Sequence, residues 1–392
     1  MNAYWTMILL ALLPLAALSG WWTARRSNSQ SELSNLRRIH PEYFKGLNYV
    51  LNEQPDKAIE VFVRMLEVDS ETVETHLALG NLFRLRGEVD KAIRIHQNLI
   101  ARPTLDKNQR ELALLELGMD YMKLGILDRA EGLFKELSDS RSFSVQAYFQ
   151  LLDIYQQEKD WTEAITIARR LEAMSDVNLN PMIAHFYCEI ANTEIERGDA
   201  KEAKSNLKRA LNLDPKCVRS SLIEAEMENK NGSIKAAIKA YKRVEKQDAE
   251  YLPEIIGPLQ ECYEKFDKMD DFMKYLHEIL DRHGGITPQL YLTDLIAQSE
   301  GEEAAIKFIS GELQDRPSVR GVDHLIQYAI SKADGELQNN LATIKELTGK
   351  LVDERPIYKC NHCGFDAKNL HWHCPSCKKW NTVKPVRGVH GE

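Results

Sequence analysis

Residues 76–100 read HLALGNLFRLRGEVDKAIRIHQNLI, and this stretch carries the pattern that decides the fold. Gly80 and Phe83 stand about one turn apart on a first predicted helix, and Ala92 and His96 stand on a second. A small residue is needed where two helices cross closely, and an aromatic residue one turn on fills the space beside it. The stretch therefore predicts one unit of two packed helices.

The same pattern returns between residues 41 and about 310 with a period of about 34 residues, which is typical of tetratricopeptide repeats. The matching positions are Gly46, Tyr49, Ala58 and Phe62, then Gly118, Tyr121, Ala130 and Phe134, then Tyr148, Leu152, Tyr155 and Ala164, then Tyr187, Ala191, Gly198 and Ala203, then Ala225, Gly232, Ala237 and Tyr241. We predict an all-α fold with a tetratricopeptide solenoid at 41–310 and capping helices at 311–355.

A solenoid of this kind presents a concave surface lined mainly by the first helix of each pair, where a peptide or partner helix binds. Counting from the small position, we predict these groove residues: Leu47, Leu51, Asn81, Arg84, Met119, Lys123, Phe149, Asp153 and Asn192. Amides there would hold a peptide backbone, and Arg or Lys would hold a carboxylate. The alternative, an ordinary solvated face, fits each residue equally well when it is taken alone.

Two CxxC pairs near the end of the chain, Cys360 with Cys363 and Cys374 with Cys377, carry the sharpest chemical signal. Each pair aims two thiolates at one ion, and together they complete a closed tetrahedral site, which is structural because no position is left for water. Zinc and iron both accept four thiolates, so the choice between one iron and one zinc ion stays open. Unligated or disulfide-bonded pairs are the alternative.

The remaining cysteines and the nearby histidines fit less specific roles. Cys188, Cys217 and Cys262 lie among the predicted helices and are expected to be small apolar core residues. His362, His371 and His373 are each able to replace a cysteine ligand, but with four thiols present they are expected to be neighbours of the metal site.

Residues 1–24 contain no charged side chain and are long enough to cross a bilayer, so we predict a transmembrane anchor at 1–24 and a juxtamembrane linker at 25–40. Arginines follow the span at positions 25, 26, 37 and 38, which places the N-terminus outside and the bulk of the chain in the cytoplasm. A cleaved signal peptide is the alternative, but no basic residue precedes the apolar run.

The formal net charge of −8 argues against a general nucleic-acid surface. A short basic run, with Lys378, Lys379, Lys384 and Arg387, is interpreted as a solvated tail rather than a nucleic-acid site. No serine, histidine and aspartate set, phosphate-binding glycine loop or catalytic zinc motif stands out, so we predict that the chain is not an enzyme.

The anchor with arginines behind it, the repeats, and the CxxCGF and CPSC knuckles follow one another in an order that resembles the lipopolysaccharide assembly protein B family. The resemblance covers essentially the whole chain. It implies a rubredoxin-like metal domain at 356–392, with the four knuckle cysteines as ligands, and an inner-membrane protein without catalytic activity. Only ten residues separate Cys363 from Cys374, fewer than in ordinary rubredoxin, which weakens the case for electron transfer.

The resemblance also implies partners. It predicts an adaptor that helps the membrane protease FtsH degrade the deacetylase LpxC, and contacts with lipopolysaccharide synthesis and transport proteins. An assembly scaffold that does not direct proteolysis is the main alternative, and a rubredoxin-type electron carrier is another. Self-association into a homo-oligomer stays open.

Overall fold

The computed structural model describes residues 41–68, 72–353 and 355–392, which form eighteen α-helices and a small three-stranded sheet. The predicted anchor at 1–24 and linker at 25–40 lie outside these residues. Within the described ranges, none of the helices has both the length and the apolar character that a membrane span requires. The prediction of an all-α array of helix pairs, followed by a small domain that holds the four cysteines, is confirmed.

The chain divides into two compact units, and the first ends at Asp160. Its helices are α1 (Pro41–Leu51), α2 (Pro55–Val68), α3 (Val73–Leu85), α4 (Val89–Ile100), α5 (Lys107–Leu124), α6 (Leu127–Leu137) and α7 (Ser144–Glu158). Each helix packs on the next one along the chain. Residues 101–106 form the loop between α4 and α5, and Leu105 in this loop packs against the buried cluster of Leu77, Leu99 and Ala113.

Glycines at the helix crossings explain why the pattern of small and aromatic residues recurs. A Cβ on Gly46 would lie 2.6 Å from the ring of Phe62, and one on Gly118 would lie 2.5 Å from the ring of Phe134. Real Cβ atoms do not approach other atoms so closely, so a side chain at either glycine would push the two helices apart. In the unit between them, His96 takes the place of the phenylalanine.

Helix α5 shows how the sequence sets a helix boundary in this array. Asp106 accepts a hydrogen bond from the backbone N–H of Gln109 (2.8 Å), and the Gln109 side chain accepts one from the Asp106 N–H, which forms a capping box. Gly125 ends the helix in the left-handed conformation at φ 74°, where a residue without Cβ is favoured.

The second unit, Trp161–Glu392, begins with eleven further helices. They are α8 (Trp161–Met174), α9 (Asn180–Glu196), α10 (Ala200–Leu213), α11 (Val218–Lys230), α12 (Ile234–Gln247), α13 (Leu252–Lys265), α14 (Met269–His283), α15 (Ile286–Glu300), α16 (Glu302–Asp315), α17 (Val319–Lys332) and α18 (Gly335–Asp353). Ala191 and Leu207 lie in one buried cluster, and Ala225 and Tyr241 lie in another, so small and large residues again share the core.

The metal domain follows α18 and contains the strands β1 (Tyr358–Cys360), β2 (Asp366–Ala367) and β3 (Val383–Pro385). Both outer strands pair antiparallel with β1, in the order β2-β1-β3. The buried core of this domain consists of Cys360, Cys374 and Val383. So small a core contributes little folding free energy, and a bound ion would contribute much of the rest.

Candidate metal centre and its docking surface

The first cysteine turn is a knuckle built by backbone hydrogen bonds. The N–H of Cys360 donates to the carbonyl of Phe365 (2.8 Å), and the N–H of Gly364 donates to the carbonyl of Cys360 (2.9 Å). Gly364 has φ 76°, in the left-handed region that glycine enters without strain. The turn therefore holds both of its thiols on one side.

The second turn repeats this geometry. The N–H of Cys374 donates to the carbonyl of Lys379, and the N–H of Lys378 donates to the carbonyl of Cys374, both at 2.9 Å. Lys378 has φ 56°, so it occupies the conformation that glycine takes in the first knuckle. The pairing of two equivalent knuckles brings all four thiols together.

The four Sγ atoms lie within 4.8 Å of one another, with Cys360 to Cys377 at 3.8 Å and Cys363 to Cys374 at 3.7 Å. A tetrahedral ion with metal–sulfur bonds of about 2.3 Å requires sulfur atoms about 3.8 Å apart, whereas a disulfide requires about 2.05 Å. The arrangement fits a four-thiolate metal site. Zinc and iron both suit this donor set.

The surroundings shift the pKa values of the Cys360 and Cys374 thiols in opposite directions. Burial acts to raise the pKa of Cys360, but the hydroxyl of Thr382 and the backbone N–H groups of Cys363 and His362 outweigh it and lower that pKa to about 6. Burial raises the pKa of Cys374 to about 11. Cys360 is therefore more ready than Cys374 to supply a thiolate near neutral pH, and an ion would displace the proton from Cys374.

Of the three neighbouring histidines, His373 has a defined role that is not ligation. Its Nε2 lies 2.8 Å from the carbonyl of Lys378, and its ring stacks on Trp380 with centroids 4.5 Å apart. His371 lies edge-on to Phe365 at 6.2 Å. The cluster of metal-ligand side chains in the described part of the chain contains the four cysteines and none of these histidines.

Two tryptophans of the metal domain pack on helices of the second unit, and we call their contacts the docking surface. Trp380 stacks on His185 with centroids 5.2 Å apart and meets the edge of Phe186 at 5.7 Å. Trp372 stacks on Tyr251 at 5.1 Å. Stacked and edge-on aromatic pairs are each worth about 0.5–1.5 kcal/mol beyond the area that they bury.

His185 lies at the centre of the docking surface and is buried. Burial, together with the nearby Arg219 and His373, lowers its pKa to about 3, so the ring stays neutral at physiological pH. The Arg219 guanidinium lies 5.9 Å from the centre of the Trp380 ring and also pairs with Glu189 at 2.9 Å. The stack is thus a neutral ring contact with one cation on its flank.

Polar contacts surround the aromatic stack. The Tyr251 hydroxyl donates to Asn381 Oδ1 (2.8 Å), and the Tyr358 hydroxyl donates to Glu254 Oε1 (2.7 Å). Burial is the main reason why the pKa of Tyr358 is raised, so its hydroxyl stays protonated as a donor. Lys384 pairs with Asp248, and its Nζ lies 4.2 Å from the centre of the Tyr251 ring.

The end of the chain adds a further attachment. The Glu392 carboxylate accepts hydrogen bonds from the N–H of Thr287 (3.1 Å) and its hydroxyl (2.6 Å), at the start of α15, and pairs with Arg320. The N–H of Val319 donates to the carbonyl of Val389 (2.9 Å). Since helix N-termini attract negative charge, the tail stabilises α15 while it attaches the metal domain to α17.

The structure corrects one interpretation and adds residues that sequence reasoning missed. Lys384 is not part of a solvated tail, because its side chain is 12% exposed and paired with Asp248, and Arg387 lies 3.9 Å from Glu250. Trp372 and Trp380 were not singled out, although two tryptophans in a domain with so small a core are a signal of packing against another surface.

The predicted groove residue Arg84 is engaged by its own chain. Its guanidinium contacts Glu116 Oε2 at 2.7 Å and Asp120 Oδ1 at 2.8 Å, and His96 Nδ1 lies 2.6 Å from Asp120 Oδ2. His96 and Asp120 have fully buried side chains. This charge network joins α3, α4 and α5, so Arg84 serves repeat packing rather than standing free for a partner carboxylate.

The other predicted groove residues vary in exposure. Leu51, Lys123 and Phe149 are exposed, whereas Leu47, Asn81, Met119, Asp153 and Asn192 are half-buried. Asn81 Oδ1 is buried and has no hydrogen-bond partner within the described chain, and Asp153 Oδ2 accepts from Gln157 at 3.1 Å. The predicted core role of Cys188, Cys217 and Cys262 is confirmed, since all three are buried among apolar side chains.

Comparison with family models matches the description "rubredoxin metal binding domain" to residues 358–385 and "tetratricopeptide repeat" to residues 75–111, 115–177 and 188–251. Among solved structures, the chain is similar to YrrB, described as a TPR protein with an unusual peptide-binding site. That match has 14% identity and a TM-score of 0.34, and it covers 49% of this chain and 94% of the other.

Two curated relatives match almost the full length of the chain. Lipopolysaccharide assembly protein B of Escherichia coli K12 is 39% identical, with 98% of this chain and 99% of the relative covered. The protein of the same name from Haemophilus influenzae Rd is 37% identical over 97% of this chain and 98% of the relative. The chain belongs to the lipopolysaccharide assembly protein B family.

Proposed function

We propose that this chain is an adaptor for lipopolysaccharide assembly that is anchored in the inner membrane and promotes degradation of LpxC by FtsH. It would bind other proteins through its helical array and carry no catalytic activity of its own. The name of the relatives supports the link to lipopolysaccharide assembly. The family resemblance supports the choice of protease and deacetylase.

The observation that carries the adaptor proposal is the docking of the metal domain on the helices. Trp372 and Trp380 fix it to side chains from α9 and from the turn just before α13, and Glu392 attaches its tail to α15. The four thiols fill a tetrahedron, so a bound ion would have no position left for a substrate or water. These features support a structural metal site that shapes a protein-binding surface.

A bound ion would cross-link the two knuckles, and a closed four-thiolate site would leave it no open position for a substrate or water. The residues of the chain hold the ion and position the metal domain. Cys360, Cys363, Cys374 and Cys377 hold the knuckles, while Trp372 and Trp380 present them against the helices.

Membrane attachment is part of the same proposal and is supported by the uncharged run at residues 1–24 and the arginines after it. Confinement to one membrane raises the effective concentration of an adaptor, a protease and its substrate relative to one another. No chemical step by the adaptor is needed, because proximity alone speeds delivery.

A cross-linked pull-down from membranes tests this proposal. The intact chain, the Cys360→Ser and Cys363→Ser double variant, and a Ser376→Ala control in the second knuckle would be compared by mass spectrometry of the captured proteins. We expect the intact chain and the control to capture FtsH and LpxC and the double variant to lose them. Failure of the intact chain to capture either protein would contradict the proposal.

The alternative is a scaffold that gathers lipopolysaccharide synthesis and transport proteins without directing proteolysis, which the name of the relatives also supports. The half-life of LpxC separates the two functions. Under the adaptor proposal, LpxC lives longer in cells that lack the chain. Under the scaffold alternative, its lifetime is unchanged.

An electron carrier of rubredoxin type is the remaining alternative, supported by the match to a rubredoxin metal binding domain. It requires iron that cycles reversibly between two oxidation states. Metal analysis of the protein as isolated from cells tests this alternative. Bound zinc would contradict it, because zinc has no redox chemistry.

A further inference from the structure

The last helix of the array, α18, has an apolar stripe that no described residue covers. None of its residues is buried, and four large apolar side chains are exposed by 44% to 60%: Leu337, Ile344, Leu347 and Leu351. A terminal repeat normally turns a polar outer face to water. This stripe therefore indicates a surface that is covered in the assembled protein.

The stripe continues the packed face of the helix. Leu337, Ile344 and Leu351 are seven residues apart, and Leu347 lies between the last two, which is the spacing of a helix-pairing seam. Next to the seam, Thr348 donates a hydrogen bond to Asp323 Oδ1 of α17 (2.7 Å). Helix α17 thus contacts one flank of the apolar face, and the other flank is exposed in the part of the chain that the structure describes.

We propose that the α18 helices of two copies of this chain pack antiparallel along this stripe and form a homodimer with its two-fold axis near Ile344. Antiparallel packing would extend the helix-on-helix stacking that builds the rest of the array. Leu337 would then face Leu351 of the second copy at both ends of the seam. Asn340 interrupts the apolar run once, and a polar residue in a seam helps to fix its register.

The charges beside the stripe favour a second copy over an unrelated helix. Glu336 and Lys350 border the same edge of the stripe, near opposite ends of the helix. An antiparallel pair places Glu336 of each copy beside Lys350 of the other, so the dimer contains two such contacts. The two helix dipoles also point in opposite directions, which is favourable. A parallel pair would bring like charges to the same level.

Within one chain, these charges have only weak competing partners. Lys350 contacts Glu346 at 2.6 Å, with both side chains about two-thirds exposed, and exposed pairs of this kind contribute little. Lys345, by contrast, is directed to Asp323 of α17 and takes no part in the seam. Lys350 is therefore available to a second copy at small cost.

Sedimentation equilibrium of the full chain in detergent tests the proposal with a charge swap. Glu336→Lys and Lys350→Glu each place two like-charge pairs in the dimer, and we expect each to raise the dimer Kd about three- to tenfold. The double variant restores opposite charges and should return the Kd to within about twofold of the original. Recovery in the double variant is a result that a folding defect would not give.

The apolar seam is tested in the same experiment. We expect Ile344→Asp to raise the dimer Kd by more than about tenfold, because a charge would be buried at the two-fold axis. Ala342→Asp, at an exposed position off the stripe, is the matched control and should leave the Kd unchanged.

Three results would overturn the proposal. They are a full chain that stays monomeric at all concentrations, a dimer that is insensitive to Ile344→Asp, and a double variant weaker than either single charge reversal. The first would assign the stripe to another protein or to the N-terminal apolar segment, and the second would place the dimer contact on another face.

Discussion

The first unit and the metal domain both rely on contacts between distant residues, but the contacts differ in kind. In the first unit, the buried carboxylate of Asp120 joins neighbouring repeats through an ion pair with Arg84 and a contact with His96. In the second unit, Trp372 and Trp380 join segments that lie far apart in the sequence through neutral rings. The array thus packs locally, whereas the metal domain has a small core, and we expect its stability to depend on a bound ion and on its docking contacts.

Of the changes that distinguish the array from the metal domain, removal of the metal should cause the largest loss of folding free energy. Chelation, or Cys360→Ser with Cys363→Ser, removes on the order of 10 kcal/mol of metal-linked folding free energy from a domain with few core residues. We expect the metal domain to unfold and the emission of Trp372 and Trp380 to shift to the red, while helical circular dichroism is largely kept. A chelated protein with unchanged tryptophan emission would contradict the account.

Breaking the charge network should have the next largest effect. Asp120→Ala leaves Arg84 without one buried partner and His96 without another, so we expect a loss of about 3–5 kcal/mol in the free energy of unfolding of the first unit. Urea denaturation measures it. Asp153→Ala, at a half-buried position, is the control, and equal losses for the two would show that the network has no special role.

Trp380→Ala should have a smaller and more local effect. The ring is partly exposed, so its loss should cost about 2–3 kcal/mol of docking and leave the metal site in place. Amide hydrogen exchange should rise in β3 and at His185, while the metal content stays the same. Lys379→Ala is the control. Equal exchange in the two variants would show that Trp380 does not hold the metal domain on the helices.

The smallest effect is expected for His96→Phe. Phenylalanine occupies the equivalent place at Phe62 and Phe134, and Asp120 would keep its ion pair with Arg84. We expect a loss of about 1 kcal/mol from the missing hydrogen bond, measured by urea denaturation. A loss as large as that of Asp120→Ala would mean that the His96 contact, rather than the Arg84 pair, holds the network together.

The same contrast explains how far the sequence predicted the molecule. The helix pairs were predictable because Gly46 and Gly118 recur with the period of the repeat, and the metal site was predictable because each CxxC turn is local. The residues of the docking surface do not recur at a fixed spacing in the sequence. Residues that contact each other there, such as Trp372 and Tyr251, lie more than a hundred residues apart. Arg84 has the spacing of a groove residue, and only the side-chain contacts show that it pairs within its own chain.

The half-life of LpxC in growing cells is the sharpest test of the proposal that the docked metal domain makes this chain an adaptor for proteolysis. Cells would carry the original chain, a Trp372→Ala and Trp380→Ala double variant, or a Lys379→Ala control, with equal amounts of each confirmed by immunoblot. We predict a short half-life with the original chain and the control, and a several-fold longer one with the double variant. An LpxC half-life that is the same in all three strains, and in a strain without the chain, would contradict the account.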